Sequence, residues 1–131
     1  MKKIVTATTA PAALGPYSQG VIAGNLLFIS GQIPIDPATG EMIVGDLGTQ
    51  TRRVMANISA ILRSQNLDFS DLVKVTIYLT DMKSFEEINQ AYGGYFSEDP
   101  PARACVEVSA LPKDAKVEIE AVALFPEIKI V

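Results

Sequence analysis

Apolar and polar residues follow regular periods along most of this chain. An amphipathic helix is predicted from about Leu47 to Ser64, with an inward face formed by Leu47, Thr51, Val54, Ile58, Ile61 and Leu62. Leu72–Thr80 alternates residue by residue instead, which predicts a strand. A second helix is predicted after a capping-box pattern, Ser84 with Glu87, and the segment "SEDPP" ends it.

The remaining patterns predict further strands and one long loop. Gly24-Asn25 lies between two short apolar segments, Val21–Ala23 and Leu26–Ser30, and predicts a hairpin whose turn needs a positive φ. The segment "GQIPIDPATGEMIVGD" that follows is typical of a surface loop. Two more strands are predicted at Ala102–Val108 and Val117–Phe125, and a short first strand can form at Lys3–Thr6.

The order of these elements, ββ-α-β-α-ββ, predicts an α+β fold. Helices that alternate with strands in this way lie on one face of a mixed β-sheet. With 131 residues, the chain suffices for one compact domain, which we expect over residues 1–131.

The strand patterns also predict two unlike sheet faces. The apolar face, expected beneath the helices, comprises Val73, Val75, Ile77, Leu79, Ala102, Ala104, Val106, Val108, Val117, Ile119, Ala121 and Ala123. The mixed face comprises Lys74, Thr76, Tyr78, Arg103, Cys105, Glu107, Glu118, Glu120, Val122 and Leu124. It is too polar for a core and too apolar for a solvated surface. A subunit interface is therefore expected there.

Composition and charge exclude several classes of function. The net charge of −4 disfavours broad binding to a nucleic-acid backbone. Without histidine, the chain cannot form a Ser-His-Asp triad or a Cys-His pair, and its single cysteine excludes an internal disulfide. No motif has metal-ligand spacing, so neither metal nor cofactor is expected. No apolar run is long enough for a bilayer and no signal peptide is apparent, so we expect a cytoplasmic protein.

Arg103 is the side chain that most needs an explanation, because it lies in the apolar strand "ARACVEV". Arginine can bind a carboxylate through two parallel hydrogen bonds, and a glutamate on the adjacent strand can act as a general base on water. The alternative is structural: Arg103 pairs with Glu107, Glu118 or Glu120 to stabilise an oligomer. The spacing alone leaves both interpretations open.

Three other polar residues also permit two interpretations. Cys105 is either a nucleophile or, since no histidine can activate it, a small residue that lines a pocket. Tyr17 is either a pocket residue or an anchored loop aromatic. Asn89 either lies on a helix surface or points inward to hold a water.

Six segments span nearly the whole chain: "PAALGPYSQG", "LLFISGQIPIDPATGE", "NISAIL", "DLVKVTIYLTDM", "INQAYGGYF" and "PARACVEVSALPKDAKVEIEAVA". Together they resemble the reactive intermediate deaminase (Rid) family, also called the endoribonuclease L-PSP or translation-inhibitor family. The resemblance implies a chorismate-mutase-like fold and a homotrimer with pockets between subunits. For the deaminase branch, the implied reaction is the hydrolysis of 2-imino and enamine acids to 2-oxo acids and ammonia. Pyridoxal-phosphate dehydratases release these imino acids.

The same resemblance implies a set of site residues. Arg103 would bind the substrate carboxylate, Glu118 would orient or activate water, and Cys105 completes the implied catalytic set. The other substrate-binding residues implied are Tyr17, Ser30, Gly31 and Asn89. Glu120 shares a face with Glu118, and the resemblance matches it less well.

One segment departs from the deaminase pattern. "FSEDPPAR" is shorter than expected, and Pro100 stands where an aromatic residue is expected, which leaves substrate preference open. Two other functions compete with imine hydrolysis: a regulatory or RNA-directed role, and non-catalytic binding of small carboxylates. The acidic composition and the lack of an aromatic-basic groove argue against RNA cleavage.

Overall fold

The computed structural model describes residues 1–127; the last residues of the expected domain, 128–131, lie outside that range. The described elements are β1 (Lys3–Val5), β2 (Gly20–Ala23), β3 (Leu26–Gln32), α1 (Leu47–Arg63), β4 (Leu72–Leu79), α2 (Phe85–Gly93), β5 (Ala102–Glu107) and β6 (Val117–Leu124). Short 3₁₀ turns occupy Phe69–Asp71, Met82–Ser84 and Pro112–Asp114. The predicted α+β fold is confirmed.

The six strands form one mixed sheet in the order β1-β2-β3-β6-β4-β5. β4 and β5 run parallel, as their connection through α2 requires, and the other neighbours are antiparallel. The hairpin between β2 and β3 turns at Gly24, whose φ of 61° confirms the predicted positive-φ turn. β6 therefore lies near the middle of the sheet, and β5 forms one edge.

The core lies between α1 and the sheet. The inward face of α1 is fully buried except for Leu47 at its first turn, which is half-buried. The helix packs over β3 and β6, whose inward residues Leu27, Val117, Ile119 and Ala123 are also fully buried. Each buried leucine, isoleucine or valine side chain contributes roughly 1.5–3 kcal/mol by leaving water. The amphipathic pattern of α1 thus fixes which face of the central strands the helix covers. Among the described residues, no helix is long and apolar enough to cross a bilayer.

The predicted capping box of α2 is wrong. Ser84 immediately precedes the helix but makes no capping hydrogen bond, because its φ and ψ of −88° and 2° lack the extended geometry of an N-cap. The carboxylate of Glu87 instead accepts a hydrogen bond from the backbone N–H of Gly48, at 3.0 Å. That bond joins α2 to the first turn of α1.

The predicted facing of β4 is wrong at its beginning. The register between β4 and β6 shifts between Leu72 and Lys74. Leu72 is consequently buried, with 4% of its surface exposed, whereas Val73 is 40% exposed.

The predicted facing of β5 is inverted. Arg103, Cys105 and Glu107 pair with Val75, Ile77 and Leu79, whose side chains are buried on the helix side. Paired residues of parallel strands point to the same face, so these three lie on the helix side and not on the mixed face. Ala102, Ala104 and Val106 correspondingly lie on the face that the helices leave uncovered.

Candidate functional site

The residues expected to form one site fall into two groups on opposite sides of the sheet. Tyr17, Ser30, Gly31 and Glu118 line one cavity on the side that the helices do not cover. Arg103, Cys105 and Asn89 lie together on the helix side, between β5 and α2. The structure therefore brings together the members of each group, but not the two groups.

The cavity around Glu118 has a volume of about 560 Å³. It lies between the N-terminal loop, the segment after β3 and the beginning of β6. Its polar and charged lining includes Tyr17, Ser30, Lys113, Glu118 and Glu120, and its apolar lining includes Pro11, Leu14, Ile33, Ile35 and Pro112. A mostly apolar cavity with a few convergent polar groups is typical of a small-molecule site.

Gly31 makes room for the carboxyl group of Glu118. A Cβ atom at position 31 would lie 2.8 Å from Cδ of Glu118, closer than two such atoms can approach. Burial raises the pKa of the Glu118 carboxyl, and the nearby charge of Glu120 raises it further. Glu118 is thus a carboxyl that can exchange a proton closer to neutral pH than an ordinary glutamate.

Glu120 has a different environment, because the Tyr78 hydroxyl donates a hydrogen bond to its carboxylate. That bond is also the main cause that raises the pKa of Tyr78, with burial second. Tyr78 therefore remains a protonated donor well above neutral pH.

The loop that carries Tyr17 is attached to the fold by Gln19, which is 5% exposed. Its side-chain amide donates to the carbonyl oxygens of Ala7, Ala10 and Pro11, and its Oε1 accepts from the N–H of Ala7 at 2.6 Å. The backbone carbonyl of Gln19 also accepts from the N–H of Ser30, at 2.9 Å. Gln19 thereby joins both segments that line the cavity.

Arg103 lies in a polar and aromatic environment built by one face of α2. Its Nη1 donates to Oδ1 of Asn89 at 2.7 Å, and its guanidinium carbon lies 5.5 Å and 5.2 Å from the ring centroids of Phe85 and Tyr92. The three α2 residues share a face because they are spaced i, i+4 and i+7. Arg103 itself is exposed, so α2 orients the guanidinium while leaving it accessible.

Cys105 is half-buried and packs against the core cluster. Burial raises the pKa of its thiol, although the charge of Arg103 opposes that effect. A neutral thiol is a poor nucleophile, so this environment favours a residue that lines the site.

Five residues that surround these two groups were not predicted as site residues from the sequence. They are Gln19, Tyr78, Phe85, Tyr92 and Lys113. The helical spacing of Phe85, Asn89 and Tyr92 is a signal that could have identified the surroundings of Arg103. No local pattern indicates that Tyr78 reaches Glu120, because the two residues meet only through strand pairing.

Comparisons with known proteins agree with this fold. The family model described as Endoribonuclease L-PSP matches residues 7–125. A RutC family protein of Pyrococcus horikoshii is 54% identical over 123 residues, which cover 94% of this chain and 98% of that protein. A protein of Escherichia coli K12 named 2-iminobutanoate/2-iminopropanoate deaminase is 45% identical over 127 residues, covering 95% and 98% of the two chains.

A solved structure extends the likeness to three dimensions. The crystal structure of Escherichia coli TdcF with bound serine is 42% identical and superposes with a TM-score of 0.90. The match covers 95% of this chain and 99% of TdcF.

Proposed function

The chain belongs to the endoribonuclease L-PSP (Rid) family, and we propose that it is a 2-iminobutanoate/2-iminopropanoate deaminase. It would hydrolyse 2-imino acids and their enamine tautomers to 2-oxo acids and ammonia. The 45% identity to an Escherichia coli protein of that name supports this activity. The cytoplasmic location expected from the sequence belongs to the same proposal.

The observation that carries the proposal is the environment of Arg103. An accessible guanidinium, oriented by an amide and two aromatic rings, is suited to bind a planar carboxylate through two parallel hydrogen bonds. The TdcF structure holds bound serine, which supports a small carboxylic acid as the ligand of this fold. In our proposal Arg103 fixes the acid group and thereby orients the imine carbon.

The reaction then needs a water and a group that exchanges protons. Water attacks the iminium carbon, the C=N π electrons pass to nitrogen, and Glu118 takes a proton from the water to give a neutral carbinolamine. Glu118 returns that proton to the amine, the C–N bond breaks, and the hydroxyl oxygen forms the new C=O bond. The hydroxyl proton passes to the departing ammonia, so the products are a 2-oxo acid and ammonium. The raised pKa of Glu118 suits both proton transfers.

Arg103 and Glu118 can act on one substrate only if they come from different chains, since they lie on opposite faces of a sheet. A contact that joins one face of a chain to the opposite face of the next is heterologous, and it forms a ring when the rotation between neighbours closes. The exposed apolar residues Phe28, Val106 and Leu124 on the uncovered face support such a contact. We therefore propose a homotrimer in which Cys105 and Asn89 accompany Arg103 from one subunit, while Tyr17, Ser30 and Gly31 accompany Glu118 from its neighbour.

The alternative function is binding of a small carboxylate without turnover. Arg103 and its surroundings would serve a carboxylate binder equally well, whereas the proton-exchanging Glu118 favours the enzyme. RNA cleavage, which the family name suggests, is disfavoured by the net charge of −4 and the absence of histidine.

The test uses a threonine dehydratase to release 2-iminobutanoate from threonine and follows formation of 2-oxobutanoate and ammonia with and without this protein. We expect the parent protein to accelerate hydrolysis beyond the spontaneous rate. Binding of 2-oxobutanoate without acceleration would favour the binder. Cleavage of a single-stranded RNA by the same preparation, with no effect on the imine, would favour the RNA-directed role.

A further inference from the structure

The segment after β3 forms an apolar side of the cavity that contains Glu118. Ile33 and Ile35 line this cavity, and they follow Gly31, the residue that makes room for the Glu118 carboxyl. Ile35 is buried and Ile33 is half-buried. These two side chains, which we call the isoleucine wall, therefore border the space beside Glu118.

One buried side chain of α1 holds the isoleucine wall. Nδ2 of Asn57 donates to the carbonyl oxygens of Ile33 and Ile35, at 3.3 Å and 3.0 Å. Asn57 itself is fully buried within its own chain. A neighbouring subunit therefore cannot replace Asn57, and the contact does not depend on how the chains assemble.

Arg53 determines which way the Asn57 amide faces. Nη2 of Arg53, one helical turn earlier, donates to Oδ1 of Asn57 at 3.0 Å. A guanidinium group only donates hydrogen bonds and a carbonyl oxygen only accepts them. Oδ1 must therefore face Arg53, and Nδ2 must face the two carbonyl groups of the wall.

The other hydrogen bonds of this segment close it on itself. The N–H of Ile35 donates to the carbonyl of Ile33 at 2.7 Å, and the carbonyl of Pro34 accepts from the N–H of Ile43 at 2.9 Å. Ile35 also forms an isolated β-bridge with Met42. These bonds shape the loop, whereas the two bonds from Asn57 fix its position on α1.

We propose that Asn57 is a positioning residue for substrate selection, because it holds the isoleucine wall where it limits the bound acid to a short aliphatic side chain. The identity of the acid rests on the proposed imine hydrolysis. In that reaction Arg103 takes the carboxylate and Glu118 takes the water, which leaves the apolar wall for the side chain. One methylene in an apolar pocket changes discrimination by about 10–200-fold, so a small displacement of the wall changes which acid binds.

The test is Asn57→Asp, which keeps the size of the side chain and its pairing with Arg53. Slightly above neutral pH, a carboxyl beside an arginine is ionised and cannot donate to the two carbonyl groups, so the wall should move. The δ1-methyl NMR signals of Ile33 and Ile35 in the assembled protein report that movement. Calorimetric titration compares the affinities for 2-oxobutanoate and for the bulkier 4-methyl-2-oxopentanoate. We expect both methyl signals to shift and the preference for 2-oxobutanoate to fall about tenfold or more.

Two controls separate this role from a loss of stability. Ile61→Val removes a buried methyl group from the same helix, outside the cavity lining, and should lower the melting temperature. Gln90→Glu makes the same amide-to-carboxyl change at an exposed position of α2. Both variants should keep the parent signals of the isoleucine wall and the parent preference. A preference that falls as far in Ile61→Val as in Asn57→Asp would show a merely structural role and overturn the proposal.

A second variant keeps the proposal testable if Asn57→Asp does not fold. Arg53→Met retains an apolar stem on the half-buried side of α1 but removes the donor that orients the Asn57 amide. The freed amide can rotate, so the methyl signals and the preference should change in the same direction as in Asn57→Asp, by a smaller factor. Parent-like signals and preference in Arg53→Met would overturn the proposal.

Neither measurement needs turnover, so failure of the proposed function can be told apart from failure of this proposal. Unchanged signals of Ile33 and Ile35 in Asn57→Asp would overturn the positioning role, and shifted signals with the parent preference would overturn the selecting role. If the oxo acids bind but the parent hydrolyses no imine, the proposed function fails and the preference still decides the role of Asn57. If the parent binds neither acid, substrate selection by Asn57 is overturned together with the carboxylate site.

Discussion

Arg103 and Glu118 lie on opposite faces of the same sheet. Arg103 pairs with Val75 on the helix side, and Glu118 pairs with Tyr78 on the uncovered side. No side-chain rotation can carry either group through a sheet whose strands are hydrogen-bonded to one another. A site that uses both residues must therefore be completed by a second copy of the chain.

Replacing Arg103 should weaken substrate binding and slow turnover without preventing assembly. Arg103→Ala removes charge-assisted hydrogen bonds that are worth roughly 1.5–3 kcal/mol each, so affinity for 2-oxobutanoate should fall about tenfold or more. Arg103→Lys keeps the charge but loses the planar fork, and it should recover little. Calorimetric titration with 2-oxobutanoate measures the affinity of both variants.

A matched control for Arg103 is available on α1. Arg63 lies in the last turn of that helix, exposed, and Arg63→Ala should bind like the parent. Sedimentation equilibrium on the same samples checks the assembly. If Arg103→Ala dissociates and loses activity only as it dissociates, Arg103 serves the oligomer and not the substrate.

Cys105 should be dispensable for the reaction. Because burial raises the pKa of its thiol, the group stays protonated at neutral pH. Cys105→Ser should keep most of the imine hydrolysis rate, and iodoacetamide should modify Cys105 more slowly than free cysteine between pH 6 and 8, roughly the neutral range. A trapped covalent adduct, together with background activity in a folded Cys105→Ser trimer, would identify a nucleophile instead.

Gly31 should be required for the position of Glu118. In Gly31→Ala the new methyl group would lie 2.8 Å from Cδ of Glu118 and must displace that carboxyl. We expect kcat/KM to fall about tenfold or more, since the proton acceptor moves away from the water. Rates and thermal unfolding should be measured on the same samples.

Gly93→Ala is the control for that substitution. Among the described residues, no atom lies within 4 Å of a Cβ added at Gly93, which ends α2. Alanine there should leave the rate unchanged and stabilise the helix by up to about 1 kcal/mol. A Gly31→Ala protein with the parent rate would show that Glu118 need not occupy this position.

Gln19 should stabilise the N-terminal segment. Gln19→Leu keeps similar bulk but leaves the buried N–H of Ala7 and several carbonyl groups without a partner. The free energy of unfolding should fall by at least about 2 kcal/mol, and amide exchange should accelerate over residues 7–19. The exposed Gln90 gives the control, Gln90→Leu, which should change neither quantity. Unaltered exchange in Gln19→Leu would contradict this role.

The sequence predicted the elements well wherever one face of an element is buried. The helical period of α1 and the alternation of β6 both arise from burial against the same core, so each pattern indicates type and orientation together. The hairpin at Gly24 was predictable for a different reason, since its turn demands a backbone conformation that glycine adopts easily.

The sequence failed at β5 because this strand lies at the edge of the sheet. Little of the surface of β5 packs against the core: only Ala104 and Cys105, in the middle of the strand, are half-buried. Alternation of small apolar residues then carries no information about which side faces the helices. Pairing with β4 decides the orientation, and that pairing is a tertiary contact.

The candidate site was predicted residue by residue but not as two groups. The resemblance to the family supplied Arg103 and Glu118 without their relative placement. The contact of Gly31 with Glu118 joins segments far apart in the sequence, so no local pattern encodes it. The helical spacing in α2 indicates that Asn89 shares a face with two aromatic residues, but not that Arg103 lies against that face.

A mixed-subunit experiment tests the central claim, that each site takes Arg103 from one chain and Glu118 from another. Arg103→Ala and Glu118→Ala proteins should each be nearly inactive alone. When they are unfolded, mixed in equal amounts and refolded into trimers, about one quarter of the sites should receive both parental residues. We predict that imine hydrolysis returns to about that fraction of the parent rate, and a mixture that assembles fully yet stays inactive would contradict the shared site.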